Sequence, residues 1–168
     1  LGMPFNRRPK AIKLDYRVKL TDSPNRIRQT GFSKVSTVPG RDMPEMVVIL
    51  QQRRENADGS ITAKRVGTQI YKFTQSTNGW VEGKAFDIMY GDITKHPGYT
   101  KRMDLMRGDA TIYARNSKGE NVPVDENGWA DASATPTHAI VKFDSSHGGA
   151  YIGSIGTTLW LDNIKWVY

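Results

Sequence analysis

Trp80 follows Asn78-Gly79 and Trp129 follows Asn127-Gly128, so both indoles are expected just past turns. Tyr90 and Tyr99 flank the segment around His96-Pro97-Gly98, while Tyr113 and Arg115 alternate with Ile112 and Ala114. Aromatic rings held at turns are suited to stacking on the flat C–H faces of a saccharide, with polar neighbours taking the hydroxyls. These six residues are the candidate glycan-binding set. The competing reading is that the rings pack beneath loops, the usual fate of aromatics. Trp160 and Trp166 fall on the last strand-like segment and read as structural.

A second set lies on alternating segments. Lys13, Asp15 and Arg17 alternate outward, and so do His138 and Lys142. On one sheet, these with Tyr113 and Arg115 would form a polar face able to bind hydroxyls and carboxylates through charge-assisted hydrogen bonds. An ordinary solvated face explains the same pattern. Glycoside hydrolysis needs two carboxylates at a set separation; Asp87, Asp92 and Asp104 are available, but no spacing selects them. A lyase-type base with a cationic neutraliser could be assembled from Tyr113, Arg115 and His138, again without a selecting pattern. His96, His138 and His147 lack the two- or four-residue spacing of a transition-metal site.

The basic side of the composition is its unusual feature: 168 residues carry 24 Lys+Arg against 17 Asp+Glu, a net charge of +7. The cations are scattered as Arg7-Arg8, Arg26 and Arg28, Arg53-Arg54, Lys64-Arg65 and Lys101-Arg102. Nucleic-acid readers concentrate charge on one element with interleaved aromatics, so no nucleic-acid partner is expected and the pairs read as solvated ends. Without cysteine there is no disulfide scaffold, thiolate zinc site or Cys nucleophile. The longest apolar run, Met46–Leu50, is far short of a membrane span. The length suits one domain, 1–168. The opening Leu1-Gly2-Met3-Pro4, with neither an initiator Met nor an apolar signal region, reads as a piece of something longer.

The elements that must position these residues are strands. Ile12, Leu14, Tyr16 and Val18 share one face of Lys10–Lys19, the alternation of a strand with one dry side. Met46–Arg53 begins as a continuous apolar run, expected of a strand buried on both faces. Asp58-Gly59 then marks a hairpin, with Ile61–Val66 returning. Thr68–Thr74, Asp109–Asn116, Thr137–Asp144, Ala150–Ile155 and Thr158–Tyr168 complete the set, and Asn116–Pro136 reads as a loop. The expectation is all-β, a two-sheet antiparallel sandwich or barrel with little helix.

The two ends also carry a resemblance. Pro136–Phe143, the Asp144-Ser145-Ser146-His147-Gly148-Gly149 loop and Gly153–Ile164, ending Thr158-Leu159-Trp160-Leu161-Asp162-Asn163-Ile164, resemble the closing strands of jelly-roll carbohydrate-binding modules. With Met3-Pro4-Phe5 and Arg8–Tyr16, they are most similar to the carbohydrate metabolism domain family of Bacteroides-type surface and secreted proteins. The resemblance implies a jelly-roll β-sandwich at the C-terminal part of a longer exported lipoprotein, on the outer-membrane surface or outside the cell. It implies an oligo- or polysaccharide partner, which the positive charge would bias toward acidic glycans. It carries over no catalytic residues. A non-catalytic binding module is the leading expectation. A glycoside hydrolase or polysaccharide lyase domain and a structural or adhesive surface domain are the alternatives. Calcium-binding jelly rolls often place a structural ligand on the last strand, where Asp162 stands, but calcium needs six to eight oxygens. A bulge at Asp162-Asn163, satisfied by local backbone, is preferred, so no cofactor is required.

Overall fold

The computed structural model describes residues 1–31 and 34–168. Its strands are β1 (Met3–Pro4), β2 (Ala11–Lys19), β3 (Asn25–Thr30), β4 (Lys34–Pro39), β5 (Glu45–Glu55), β6 (Ile61–Lys72), β7 (Val81–Asp87), β8 (Met89–Tyr90), β9 (Tyr113–Arg115), β10 (Asn121–Trp129), β11 (His138–Asp144), β12 (Ile152–Gly153) and β13 (Thr158–Val167). Two 3₁₀ turns, Lys101–Met103 and Gly108–Ala110, are the helical content of the described residues. No helix among them is long and apolar enough to cross a membrane.

Three sheets result. The largest runs β1-β11-β5-β6-β10-β9, with β8 also on β6; the others are β13-β2-β7 and β12-β3-β4. The all-β expectation holds. The pairing is not uniformly antiparallel, however, because β10 runs parallel to β6.

β5 is the axis of the molecule because its sequence is apolar on both faces. Met46, Val48 and Leu50 face one way and meet Ile12, Leu14 and Val18 of β2, together with Val66, Phe73 and Phe86. Val47 and Ile49 face the other way and meet Ile70, Ile93, Met103 and Ile140. Each such side chain, fully buried, contributes about 1.5–3 kcal/mol, so the two layers on β5 form the main core. The β13-β2-β7 sheet covers only the first face. The irregular segment between β8 and β9 covers the second.

The Asp58-Gly59 hairpin is present, with Glu55 opposite Ile61 and Gly59 at φ 92°, a conformation glycine adopts without steric cost. Ile61–Val66 and Thr68–Thr74, expected as two strands, form the single long β6 through Gly67. Ala150–Ile155 shortens to β12.

The segment 116–136 is not a loop, since it contains β10. The inward positions of β10 are Val122, Val124 and Glu126, and the last of these is a fully buried carboxylate. A charged residue on the dry face disguised the alternation.

Candidate functional site

The outer face of the β13-β2-β7 sheet is built by simple alternation. With Ile12, Leu14 and Val18 in the core, Lys13, Asp15, Arg17 and Lys19 must face solvent. On β13, Leu159 and Leu161 pack inward, which turns Trp160 and Asp162 outward. The antiparallel register then aligns three rows: Trp160 with Arg17, Asp162 with Asp15, and Lys165 with Lys13.

In the first row, the Arg17 guanidinium carbon lies 5.0 Å from the centre of the Trp160 ring. A guanidinium that stacks through its flat face keeps its N–H edge available, and the Arg17 side chain donates no hydrogen bond to any described residue. Trp80 stands at the same level of the sheet on the opposite side of β2. Thr77 is hydrogen-bonded to Val18 and Val81 is the partner of Tyr16, so Asn78-Gly79-Trp80 bulges out between them, alongside Arg17. Trp80 is 48% exposed, a large apolar surface to leave in water. It belongs to no core cluster of the described residues.

In the second row, Asp15 is fixed at both oxygens. The Asn163 amide donates to Oδ2 at 2.6 Å and the Gly83 backbone N–H donates to Oδ1. The Asn163 bond first, and then the Gly83 bond, holds the Asp15 carboxyl below its usual value, so it is an anion at neutral pH. Gly83 sits at φ 60°, and a Cβ there would come within 3.0 Å of Lys13, so glycine keeps the face open beside Asp15. Asn163 also has positive φ, 52°, inside the register shift between Asp162 and Lys165. Its N–H donates to Asp162 Oδ1 at 2.7 Å. Asp162 and Asn163 thus form a bulge whose side chains serve neighbouring backbone and Asp15.

A second region is a cleft of about 650 Å³ lined by Glu45, Arg102, Asp109, Lys142, Asp144 and His147, among others. Its acids are largely committed. Glu45, buried, receives Arg102 Nη2 at 2.7 Å and Nε at 3.1 and 3.2 Å, and Lys142 lies 2.7 Å from Asp144. Burial, reinforced by the Lys72 and Arg26 charges, lowers the His147 pKa, so the neutral ring is favoured. Its Nδ1, 3.2 Å from the Met43 carbonyl, is placed to donate there. No group of three or more His, Asp or Glu side chains suited to a metal ion occurs among the described residues.

The third region was invisible in the pattern of charges. Arg65, read as part of a solvated basic pair, is fully buried. Its Nε and Nη2 donate to Glu126 at 2.7 and 2.6 Å, a bidentate pair, and Gln51 Nε2 donates to the same carboxylate at 2.7 Å. Arg65 also donates to the carbonyls of Met103 and Asp104, and the Met106 N–H donates to Glu126 at 2.6 Å. The cluster therefore pins the irregular cover of the second core onto β6 and β10.

The sequence-selected residues separate across these regions. Trp129 is half-buried at the end of β10, with its ring 5.5 Å from the Arg65 guanidinium. Tyr90 packs on the first core, donates its hydroxyl to the Pro9 carbonyl at 2.7 Å and lies under Arg8. Burial raises its pKa. Tyr99 packs on the second core. Tyr113 and Arg115 share an exposed face of β9, in a different sheet from Arg17; on β11, in that same other sheet, His138 is half-buried and Lys142 exposed, with the buried Ile140 between them on the same face. The single polar face expected from all three segments is therefore divided between two sheets. Asp92 and Asp104 accept backbone N–H groups in their own turns, from Thr94 and Leu105. Trp160, expected to be structural, stands on the open face. Its place between Leu159 and Leu161, in step with Asp162, is the signal that sets it on the open face.

Scans against protein-family models, curated proteins and solved structures return no match for this chain. The class defined by the fold is that of an all-β protein, and the open sheet face is its candidate site.

Proposed function

We propose that this chain is a non-catalytic carbohydrate-binding module of the jelly-roll sandwich type, displayed outside the cell. Its glycan lies across the outer face of the β13-β2-β7 sheet. The observation that carries the reading is Trp80: a half-exposed indole just before β7, the strand paired with the β2 strand that carries Arg17 and Asp15. An exposed ring supplies the stacking surface, and the guanidinium and carboxylate supply a donor and an acceptor for hydroxyls. The pairing of β2 with β13 places the two chain segments that carry the family resemblance side by side on this face. A hydrolase would need two free carboxylates in a cleft, and Glu45 and Asp144 are held by cations instead.

A glycan array tests the reading. Wild-type protein should give hits that Trp80→Ala removes while its melting temperature stays within a few degrees of wild type. Retention of every hit by a folded Trp80→Ala protein would refute the assignment. So would product release from the bound glycans, which would show an enzyme.

A further inference from the structure

Resting on that glycan-binding reading, we infer that the ligand is an acidic glycan in which uronate residues alternate with neutral sugars, a carboxylate being taken by Arg17. Three observations support this.

The first is the state of Arg17. Several other arginines are already in use: Arg8 donates to the carbonyls of Ala134 and Ala132, Arg26 to those of Gly40 and Pro39, Arg65 to Glu126, and Arg102 to Glu45. Arg17 is stacked on Trp160 yet its side chain donates to nothing among the described residues. A guanidinium fixed on a ring with its N–H edge open is pre-organised for a bidentate carboxylate, because little side-chain freedom remains to be lost on binding.

The second is the division of labour between the two indoles. Arg17 covers a face of Trp160, so Trp160 acts as a positioning residue. Trp80 is the ring left for the sugar.

The third is the order of charge along the face. The Arg17 row is followed by the Asp15–Asp162 row and then by the Lys13–Lys165 row. Arg17 and Lys13 are four residues apart on β2, about 13 Å at ~3.3 Å per residue. A glycan bearing a carboxylate on every sugar would set one against the acidic row, which costs energy by like-charge repulsion. An alternating acidic glycan instead lays neutral hydroxyl groups over Asp15 and Asp162, whose oxygens accept hydrogen bonds, and brings its acids to the cationic rows.

The test uses hyaluronan and unsulfated chondroitin oligosaccharides, each beside its carboxyl-reduced counterpart, with oligogalacturonate as the fully acidic comparison. Binding is followed by calorimetry. At least one alternating glycan should bind roughly tenfold more tightly than its reduced form and more tightly than oligogalacturonate, as expected for one charge-assisted bidentate contact. Arg17→Gln should abolish that preference, weakening the acid form far more than the reduced form, which loses only a donor to its hydroxyls. Arg17→Lys should restore only part of it, Trp160→Phe should keep most of it, and Trp80→Ala should weaken acid and reduced forms alike.

Equal binding of acid and reduced forms, or a preference that survives Arg17→Gln, overturns the inference while leaving the glycan-binding reading intact. Tighter binding of oligogalacturonate overturns the alternation. Absence of binding to any of these sugars, together with silence on a neutral glycan array, overturns both.

Discussion

Two arginines in this protein stack on tryptophans, and their surroundings could hardly differ more. Arg65 faces Trp129 inside the molecule, its charge matched by Glu126 and its remaining donors spent on the Thr68 hydroxyl and two backbone carbonyls. Arg17 lies on Trp160 at the surface, with no acceptor among the described residues. The same residue pair thus does two jobs. Inside, desolvation makes an unmatched charge so costly that every donor must be satisfied, and the arrangement becomes structural. Outside, water satisfies the guanidinium, and the stack merely orients it for whatever arrives.

The sharpest way to break the comparison is to remove the partner of the buried arginine. Glu126→Ala should lower stability by about 3–5 kcal/mol, because it leaves the Arg65 charge buried and unpaired. Urea unfolding measures this directly. Replacing both members with apolar residues, Arg65→Met with Glu126→Leu, should recover most of the loss, since buried ion pairs often do no better than well-packed hydrophobes. The recovery has a limit here: the Met106 N–H would lose its acceptor. A loss below about 1 kcal/mol in Glu126→Ala would show that the cluster tolerates water and that the two arginines are not opposites.

The tryptophans should separate next. Trp129→Ala should cost roughly 3 kcal/mol, since the ring packs on the second core and covers Arg65. Trp160→Ala should cost less than about 1 kcal/mol, the usual range for surface changes that open no cavity. The order of the two midpoints in a denaturant series checks this. Reversal would mean that Trp160 holds the β2–β13 pairing and is not chiefly an orienting surface for Arg17.

The same contrast explains what the amino-acid sequence shows of the fold. β2 and β5 are legible because their faces are chemically uniform: β2 alternates cleanly and β5 is apolar on both sides through Leu50. β10 is not legible, because Glu126 occupies a dry position and Pro123 and Gly128 interrupt the pattern. The basic pairs mislead for a related reason. One member of each pair reaches an acceptor elsewhere in the protein, as Arg8, Arg26, Arg53, Arg65 and Arg102 do, and local sequence does not say where a long side chain ends. Of the candidate site, Trp80 and the Lys13-Asp15-Arg17 face could be read directly. Their meeting with Trp160 depends on long-range pairing of β2 with β13, across almost the whole chain, which no local pattern states.

On the exposed side the smallest effect should come from Asp15, whose two hydrogen bonds hold its carboxyl below the ordinary value of 3.8. A depressed carboxyl pKa means that the unfolded chain takes up the proton first. Its stabilising effect is therefore complete above pH 3.8 and disappears as pH falls through the lower, folded value. Asp15→Asn should lower the melting temperature only slightly at pH 7. The new amide oxygen can still accept from Gly83, but its amide nitrogen meets the Asn163 amide as donor against donor. The gap between variant and wild type should then narrow on acidification below pH 3.8, where the wild-type carboxyl also becomes neutral. Thermal melts from pH 7 to pH 2.5 measure it. A gap that stays constant across this range would show that the Asn163 and Gly83 bonds favour no charged form. The acidic row on the open face would then be an ordinary solvated carboxylate, leaving Arg17 as the one pre-organised group there.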